Sequence, residues 1–276
     1  MVGIVSLAYL TVEGATPVEH IEAAARHGFD AAGLRFTGPK QRPLADPVIG
    51  NTKLLHKIAE TCAATGVSVF DIEVITIDEN FDASAFAPLI EAAAAVRAEY
   101  IQVVCEDEDH NRAVENFAAL SELAKTYKTQ LSLEFMQFRA LRTLEEAVSI
   151  IRKSGANNAG VLIDVLHLDR SGGTKRSLQS IDPKVISYVQ LCDAPARRPA
   201  EDALVDEARN NRLYPGEGEL PLVDYLNALP PDVPVSLEVP HLHNCHARID
   251  KRAQLCADAT RKFFARHGIS TENKRL

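Results

Sequence analysis

Short apolar runs and longer amphipathic segments alternate along the whole chain, and this alternation predicts β-strands followed by α-helices. The predicted strands are residues 3–10, 31–36, 68–74, 100–104, 130–135, 160–164, 187–191 and 234–239. Helical spacing of apolar residues is found at 18–27, 52–65, 83–98, 111–127, 144–154, 220–229 and 247–267. Gly28, Gly66 and Gly155 follow three of these segments directly, at the position where glycine commonly ends a helix.

The predicted strands are short and almost continuously apolar, which is typical of parallel strands buried on both faces. Strands that alternate with helices are joined by right-handed crossovers, and eight such units in 276 residues fit a closed (β/α)8 TIM barrel. An open doubly wound sheet is the alternative, although no GxGxxG follows the first strand. No change in composition marks a boundary, so we expect one domain over residues 1–276, with a frayed polar tail at 270–276.

Composition and charge narrow the class of partner. The chain is 46% hydrophobic and 25% charged, with 30 Lys and Arg against 38 Asp and Glu, and its net charge of −8 argues against nonspecific nucleic-acid binding. Five cysteines without a CxxC pair favour a reducing, cytoplasmic location. No apolar run approaches the ~20 residues of a membrane span, and the apolar start lacks a basic flank, so we expect no membrane association.

Polar side chains close four consecutive predicted strands, namely Glu134, Asp164, Gln190 and Glu238. Enzymes with this barrel carry their chemistry at the carboxyl ends of the strands, so the four side chains would face one mouth. A single acid there is commonly a helix cap or an ion-pair partner, but several like charges together cost free energy unless a cation compensates. The set therefore predicts a divalent cation, and oxygen ligands favour Mn²⁺ or Mg²⁺ over Zn²⁺.

Other residues near this mouth are candidates to contact a substrate. The connection 193–219 is roughly 20 residues longer than one β-α unit requires, and long connections often carry binding loops. Among its arginines, Arg212 stands beside a Pro-Gly-Glu-Gly turn and could hold a carboxylate, phosphate or hydroxyl. Arg35 and Glu73 end the second and third strands and could line the pocket or form a salt bridge, and His241 follows the eighth strand.

These motifs resemble those of the sugar phosphate isomerase/epimerase family, the xylose isomerase-like barrels, over essentially the whole chain. The matching segments are Glu134, Asp164-Val-Leu-His167, Gln190-Leu-Cys-Asp193, Arg212-Leu-Tyr-Pro215-Gly216-Glu217-Gly218 and Glu238. The resemblance implies a metal, most readily Mn²⁺, held by Glu134, Asp164, Gln190 and Glu238. It also implies acid–base roles for Glu134 and Glu238, and substrate contacts by His167 and Arg212. Many family members carry a metal-bound histidine where this chain has Gln190.

The implied reaction starts with loss of a proton alpha to a carbonyl. The cation would polarise the carbonyl of a small sugar or keto-polyol, one glutamate would take the proton, and a metal-stabilised enediolate would form. Return of the proton gives an epimer or an isomer, whereas loss of a β-hydroxyl gives dehydration, as in the related dehydroshikimate and keto-inositol dehydratases. We expect an isomerase or epimerase, with a lyase acting on a cyclic keto-polyol as the alternative. The resemblance also implies a homodimer, because barrels of this family often pair.

Two functions of other kinds use or could use the same fold. Endonucleases that cut DNA at abasic sites resemble it, but they need several metals and more histidine ligands than one set of strand ends supplies here, and the net charge of −8 disfavours DNA. A metal-free sugar-binding barrel would not need two glutamates as acid and base. Metal-dependent activity tested with Glu134→Gln would separate an enzyme from such a binding protein.

Overall fold

Eight parallel strands form a closed barrel in the order in which they occur along the chain. The structure is a computed structural model that describes residues 1–38, 44 and 47–271. The strands are β1 Val5–Leu7, β2 Ala31–Arg35, β3 Ser68–Ile77, β4 Tyr100–Cys105, β5 Gln130–Glu134, β6 Ala159–Asp164, β7 Ile186–Leu191 and β8 Val235–Leu237. The barrel closes where β1 pairs with β8, with Ser6 opposite Ser236 and Leu7 opposite Leu237. The predicted (β/α)8 barrel is confirmed.

Helices follow the strands and surround the barrel. Within the described ranges they are α1 Pro17–His27, α2 Thr52–Thr65, α3 Ala87–Ala95, α4 His110–Thr126, α5 Leu144–Ser154, α6 Val165–Arg170, α7 Lys175–Gln179, α8 Leu204–Asn210, α9 Leu222–Ala228 and α10 Ile249–His267. The capping threonines Thr16 and Thr143 begin α1 and α5, and Gly28 and Gly155 end them in the left-handed conformation. The long connection 193–219 contains helix α8, which its sequence did not indicate.

Several element boundaries differ from the predicted ones, and two of the differences have identifiable reasons. Strand β3 continues to Ile77 because its last residues pair with β4 beyond a shift in register, Thr76 opposite Val104 and Ile77 opposite Cys105. The predicted helix at 83–98 divides into a 3₁₀ turn, Ala83–Phe86, and helix α3. Pro88 lies in the first turn of α3, where a residue without an amide N–H is tolerated.

The inside of the barrel has an apolar cluster of its own, separate from the larger core between strands and helices. It consists of Ala31, Phe70, Leu162 and Tyr188, with Tyr100 packed against it, and we call these four buried residues the floor. The Phe70 and Tyr188 rings meet edge to face, with centroids 4.8 Å apart. The floor fills the barrel below the carboxyl ends of the strands, as side-chain layers do in this fold.

The two ends of the described chain lie close together. Val2 forms a β-bridge with Thr271, and its amide donates to the Ser270 carbonyl at 2.9 Å. Residues 272–276 of the predicted frayed tail lie outside the described residues. None of the helices in the described ranges combines the length and the apolar character that crossing a membrane requires.

Candidate active site and metal centre

Four buried polar residues lie at the carboxyl ends of β5 to β8, directly above the floor. Successive side chains of a strand point to opposite faces, so a residue two positions beyond a floor residue faces the same interior. Asp164 follows Leu162 in this way on β6, and Gln190 follows Tyr188 on β7. The complete set is Glu134, Asp164, Gln190 and Glu238, each at most 3% exposed. The predicted convergence of these four strand ends is what the barrel produces.

Arg212 supplies a positive charge between two of these carboxylates. Its guanidinium donates to Asp164 Oδ2 at 2.6 Å and lies 3.0 Å from Glu238 Oε2. The Arg212 Nε donates to the carbonyl of Ala208, at 2.8 Å, and the residue is 2% exposed. The crowding of like charges that the sequence predicted is therefore compensated in part by the chain itself.

Asp193 holds the segment that carries Arg212. Its carboxylate accepts the amides of Gly216, Gly218 and Leu220, each at 3.0 Å. Gly216 has φ +87°, and a Cβ on Gly218 would lie 2.4 Å from Asp193 Oδ1, so both turn positions require glycine. The Pro-Gly-Glu-Gly turn is thus fastened to the end of β7, and Arg212 enters the barrel from this fixed base.

Asp164 accepts hydrogen bonds with both oxygens. Its Oδ1 caps helix α6 by accepting the amides of Leu166 at 2.8 Å and His167 at 3.1 Å. Burial acts to raise the pKa of Asp164, but the charge of Arg212 and the hydrogen bonds from Arg212 and from the His167 amide hold it below the usual value. Asp164 is therefore a carboxylate at neutral pH.

The pKa values of Glu134 and Glu238 shift in the opposite direction, upward. Burial and the charge of Asp164 raise the pKa of Glu134 to about 8, against the attraction of Arg212. Burial also raises the pKa of Glu238 well above its ordinary value, although Arg212 works against this. Carboxyls that hold a proton near neutral pH are suited to general acid–base work.

The arrangement at β5 and β6 fits a metal ion. Glu134, Asp164 and His167 each offer a ligand atom, and these atoms lie within 4.8 Å of one another. Burial lowers the pKa of His167 to about 4, which leaves its imidazole neutral, the form that binds metals. Gln190 donates through Nε2 to Glu238 Oε1 at 2.9 Å, while its buried Oε1 has no partner within the described part of the chain. That oxygen is available as a further ligand atom for a metal ion.

A cavity opens above these residues. Among the residues that line it are Arg35, Glu73, Glu134, His167, Arg212 and Glu238. Arg35 forms an ion pair with Glu73, and its guanidinium lies 4.6 Å from the centre of the Tyr9 ring. Both outcomes anticipated for Arg35 and Glu73 therefore occur together, since they line the cavity and pair with each other.

His241 lies apart from this cavity. Its ring stacks on Tyr214 with centroids 5.3 Å apart, and it lines a separate groove against helix α10. Sequence reasoning also overlooked polar residues that line the cavity, among them Gln102 and Arg139. Gln102 on β4 donates to Glu134 Oε2, and Arg139 pairs with Glu106 after β5. The one polar residue in the apolar run Tyr-Ile-Gln-Val-Val was the available signal for Gln102.

Comparisons with known proteins agree with the geometry. The family model described as xylose isomerase-like TIM barrel matches residues 21–262. An inosose isomerase of Bacillus velezensis is 23% identical over 240 residues, which cover 79% of this chain and 80% of that protein. A 3-dehydroshikimate dehydratase of Pseudomonas aeruginosa is 31% identical over 88 residues, which cover 32% of this chain and 13% of that protein.

A solved structure of the IOLI protein with a bound zinc atom has the same fold. It superposes with a TM-score of 0.80 at 18% identity, and the match covers 95% of this chain and 98% of that one.

Proposed function

The chain belongs to the xylose isomerase-like TIM barrel family, and we propose that it is a divalent-metal-dependent isomerase or epimerase of a small sugar or keto-polyol. The observation that carries the proposal is the cluster of Glu134, Asp164 and His167, whose ligand atoms lie within 4.8 Å of one another beneath a cavity. The similarity to an inosose isomerase supports a keto-polyol substrate.

The metal would be held by Glu134, Asp164, Gln190 and Glu238, with His167 beside them. When bound, it supplies Lewis-acid polarisation of a substrate carbonyl. Mn²⁺ is our preferred ion, because carboxylate and amide oxygens make up most of the donor set, and Mg²⁺ or another divalent ion is the alternative. The zinc atom of the IOLI structure supports a divalent ion in this fold.

Glu134 and Glu238 would move the proton. Both line the cavity, Glu134 as the last residue of β5 and Glu238 directly after β8, and both have pKa values raised by burial. One carboxylate removes the proton alpha to the carbonyl, and the other carboxyl returns a proton, to the opposite face for an epimer or to the neighbouring carbon for an isomer. Gln102 holds Glu134 Oε2 and Gln190 holds Glu238 Oε1, so each acid keeps a fixed orientation.

Four further residues would bind the substrate in this scheme. His167 and Arg212 line the cavity beside the two glutamates and can contact substrate oxygens. The Arg35 and Glu73 pair lies on the opposite side of the cavity and presents a donor and an acceptor to hydroxyls. His241 would contribute only to the entrance, because it lies on the neighbouring groove.

Dehydration at the same site is the second candidate. The same proton abstraction followed by loss of a β-hydroxyl turns an isomerase site into a lyase site. The identity of 31% to a 3-dehydroshikimate dehydratase over 88 residues supports this candidate. We also propose a cytoplasmic, homodimeric protein that acts on a small molecule, without nucleic-acid or membrane partners.

Proton exchange in D₂O tests the proposal. The protein would be loaded with Mn²⁺ and incubated with keto-inositols, keto-sugars and 3-dehydroshikimate, and the products read by NMR. We expect deuterium at the alpha carbon, lost with EDTA and reduced about 10²- to 10⁴-fold in Glu238→Gln. The product spectrum then distinguishes epimer, isomer and alkene.

Exchange that continues unchanged in Glu238→Gln would remove this residue from proton transfer. Absence of exchange with every compound, despite a tightly bound metal, would reject the substrate class. Arg197→Ala is the matched control, because Arg197 is an exposed residue of the same long connection and does not line the cavity.

A further inference from the structure

The cations of the cavity differ in whether they already have an acidic partner. Arg212 lies against Asp164 and Glu238, and Arg35 pairs with Glu73. Arg139, which enters from the connection after β5, pairs with Glu106. These ion pairs are internal to the protein, and their charges are largely compensated before any substrate binds.

Arg209 is the exception. It lies in the last turn of α8, is exposed, and lines the cavity that holds the two glutamates. Its side chain has no ion pair or hydrogen bond to any of the residues that the structure describes. The acids that precede it on the helix are engaged elsewhere, since Asp206 accepts from the Asn210 and Asn211 amides and Glu207 pairs with Arg170.

The surroundings of Arg209 suit one end of a bound molecule. Arg139 lines the same cavity and brings a second guanidinium to it, although it is paired with Glu106. Met136 and Phe138 line the cavity beside it and supply an apolar wall. In a chain of net charge −8, an unpaired arginine supported by a second arginine marks a position that favours an anion.

We propose that the substrate carries an anionic group, a carboxylate or a phosphate, which Arg209 binds with support from Arg139. The keto-hydroxyl end of the same molecule then faces Glu134 and Glu238. This inference rests on the proposed function and narrows its substrate class from small sugars and keto-polyols in general to those that carry an anionic group. Both anions suit a guanidinium, which donates two parallel hydrogen bonds to either.

Three probes separate the sources of the anion. They are 3-dehydroshikimate, which has a carboxylate, fructose 6-phosphate, which has a phosphate, and a neutral keto-inositol. Deuterium exchange at the alpha carbon would be measured for the Mn²⁺-loaded protein and for Arg209→Ala, Arg209→Lys and Arg197→Ala. We expect Arg209→Ala to lower kcat/KM for one anionic probe about 10- to 100-fold, mostly through KM. Exchange of the neutral probe should change less than about twofold.

Lysine should restore part of the affinity, because it keeps the charge but lacks the fork of donors. Arg197→Ala should match the parent protein with every probe. The anionic probe that loses affinity identifies the group, carboxylate or phosphate. Equal losses for neutral and anionic probes, or no loss for any, would overturn the proposal.

A binding measurement separates this inference from the proposed function. Calorimetry of each probe with Glu238→Gln, alone and combined with Arg209→Ala, reports affinity without turnover. If binding of an anionic probe depends on Arg209 but the parent protein exchanges no deuterium, the anion site stands and the proposed reaction fails. If the parent exchanges deuterium only with the neutral probe, the reaction stands and the anion site fails.

Discussion

The floor and the mouth of the barrel are built on the same strands, two residues apart, yet they are stabilised by different forces. The floor residues Leu162 and Tyr188 bury apolar surface and ring contacts, and Tyr188 donates one hydrogen bond to Asp71 at 2.6 Å. The mouth residues Asp164 and Gln190, next on the same faces, sit among buried charges. Residues two positions apart on one strand therefore differ in what stabilises them: the floor residue by hydrophobic packing and the mouth residue by electrostatic interactions.

This difference between floor and mouth separates the residues that contribute only to stability from those that also contribute to function. Buried apolar contacts add stability without constraint on chemistry, whereas buried like charges cost free energy and remain only with compensation. At the mouth that compensation comes from Arg212, between Asp164 and Glu238. Substitutions in the floor should therefore act on stability alone, and substitutions in the mouth on both stability and activity.

The largest effect is expected for Arg212→Met in the mouth. Removing the guanidinium leaves Asp164 and Glu238 buried without their shared cation, and breaking such a buried pair costs about 3–5 kcal/mol of unfolding free energy. The pKa of Asp164 lies below its usual value, so the stability it provides is present above the unfolded pKa and lost as the pH falls. The loss should be larger at pH 8 than at pH 4.

Urea unfolding in EDTA at both pH values measures this effect, and deuterium exchange measures the accompanying loss of activity. Arg197→Met, on an exposed residue of the same connection, serves as the control. A loss below about 1 kcal/mol at pH 8 would show that Arg212 is not the compensating charge.

A loss of stability without a loss of catalysis is expected for Phe70→Ala in the floor. The Phe70 ring is fully buried between Tyr100 and Tyr188, and its removal leaves a cavity that costs about 3–5 kcal/mol. Urea unfolding checks the stability, and the folded variant should retain its deuterium exchange. Phe86→Ala, on a half-buried surface ring, should cost less. A loss of deuterium exchange in folded Phe70→Ala would contradict the expectation that floor residues contribute to stability alone.

The smallest effect is expected at the boundary between the two regions, at Asp71. Burial and the charge of Glu73 raise the pKa of Asp71 to about 7, above its unfolded value of 3.8. A group with a raised folded pKa stabilises the protein fully below the unfolded pKa, and this contribution is lost as the pH rises through the folded pKa. The parent protein should therefore lose stability between pH 5 and pH 8.

Asp71→Asn should flatten this dependence by at least about 1 kcal/mol, since the amide is neutral at both pH values and its oxygen can still accept from Tyr188. Unfolding free energies at pH 5 and pH 8 provide the measurement, with exposed Asp202→Asn as the control. An equal slope in parent and variant would mean that Asp71 does not titrate in this range.

The sequence by itself determined the barrel, most element boundaries and the convergence of Glu134, Asp164, Gln190 and Glu238. Alternating apolar runs and helical segments are local signals, and parallel strands in a closed barrel place all carboxyl ends at one mouth. Helix ends at Gly28 and Gly155 were equally local, because the residue itself permits the left-handed conformation. Helices α6, α7 and α8 were not predicted, since helices of five to seven residues depend on tertiary packing rather than on a local periodic signal.

Only the tertiary structure decided how the charges are shared. Arg212 pairs with Asp164 and Glu238, and Gln102 supports Glu134, so these contacts join residues from different strands and loops. The position of His241 in a separate groove likewise depends on how distant segments fold together. No sequence period links such residues, because their contacts depend on distances across the barrel rather than along the chain. For the same reason, only the folded chain distinguishes Arg209, which has no acidic partner among the residues that the structure describes, from the paired arginines that line the same cavity.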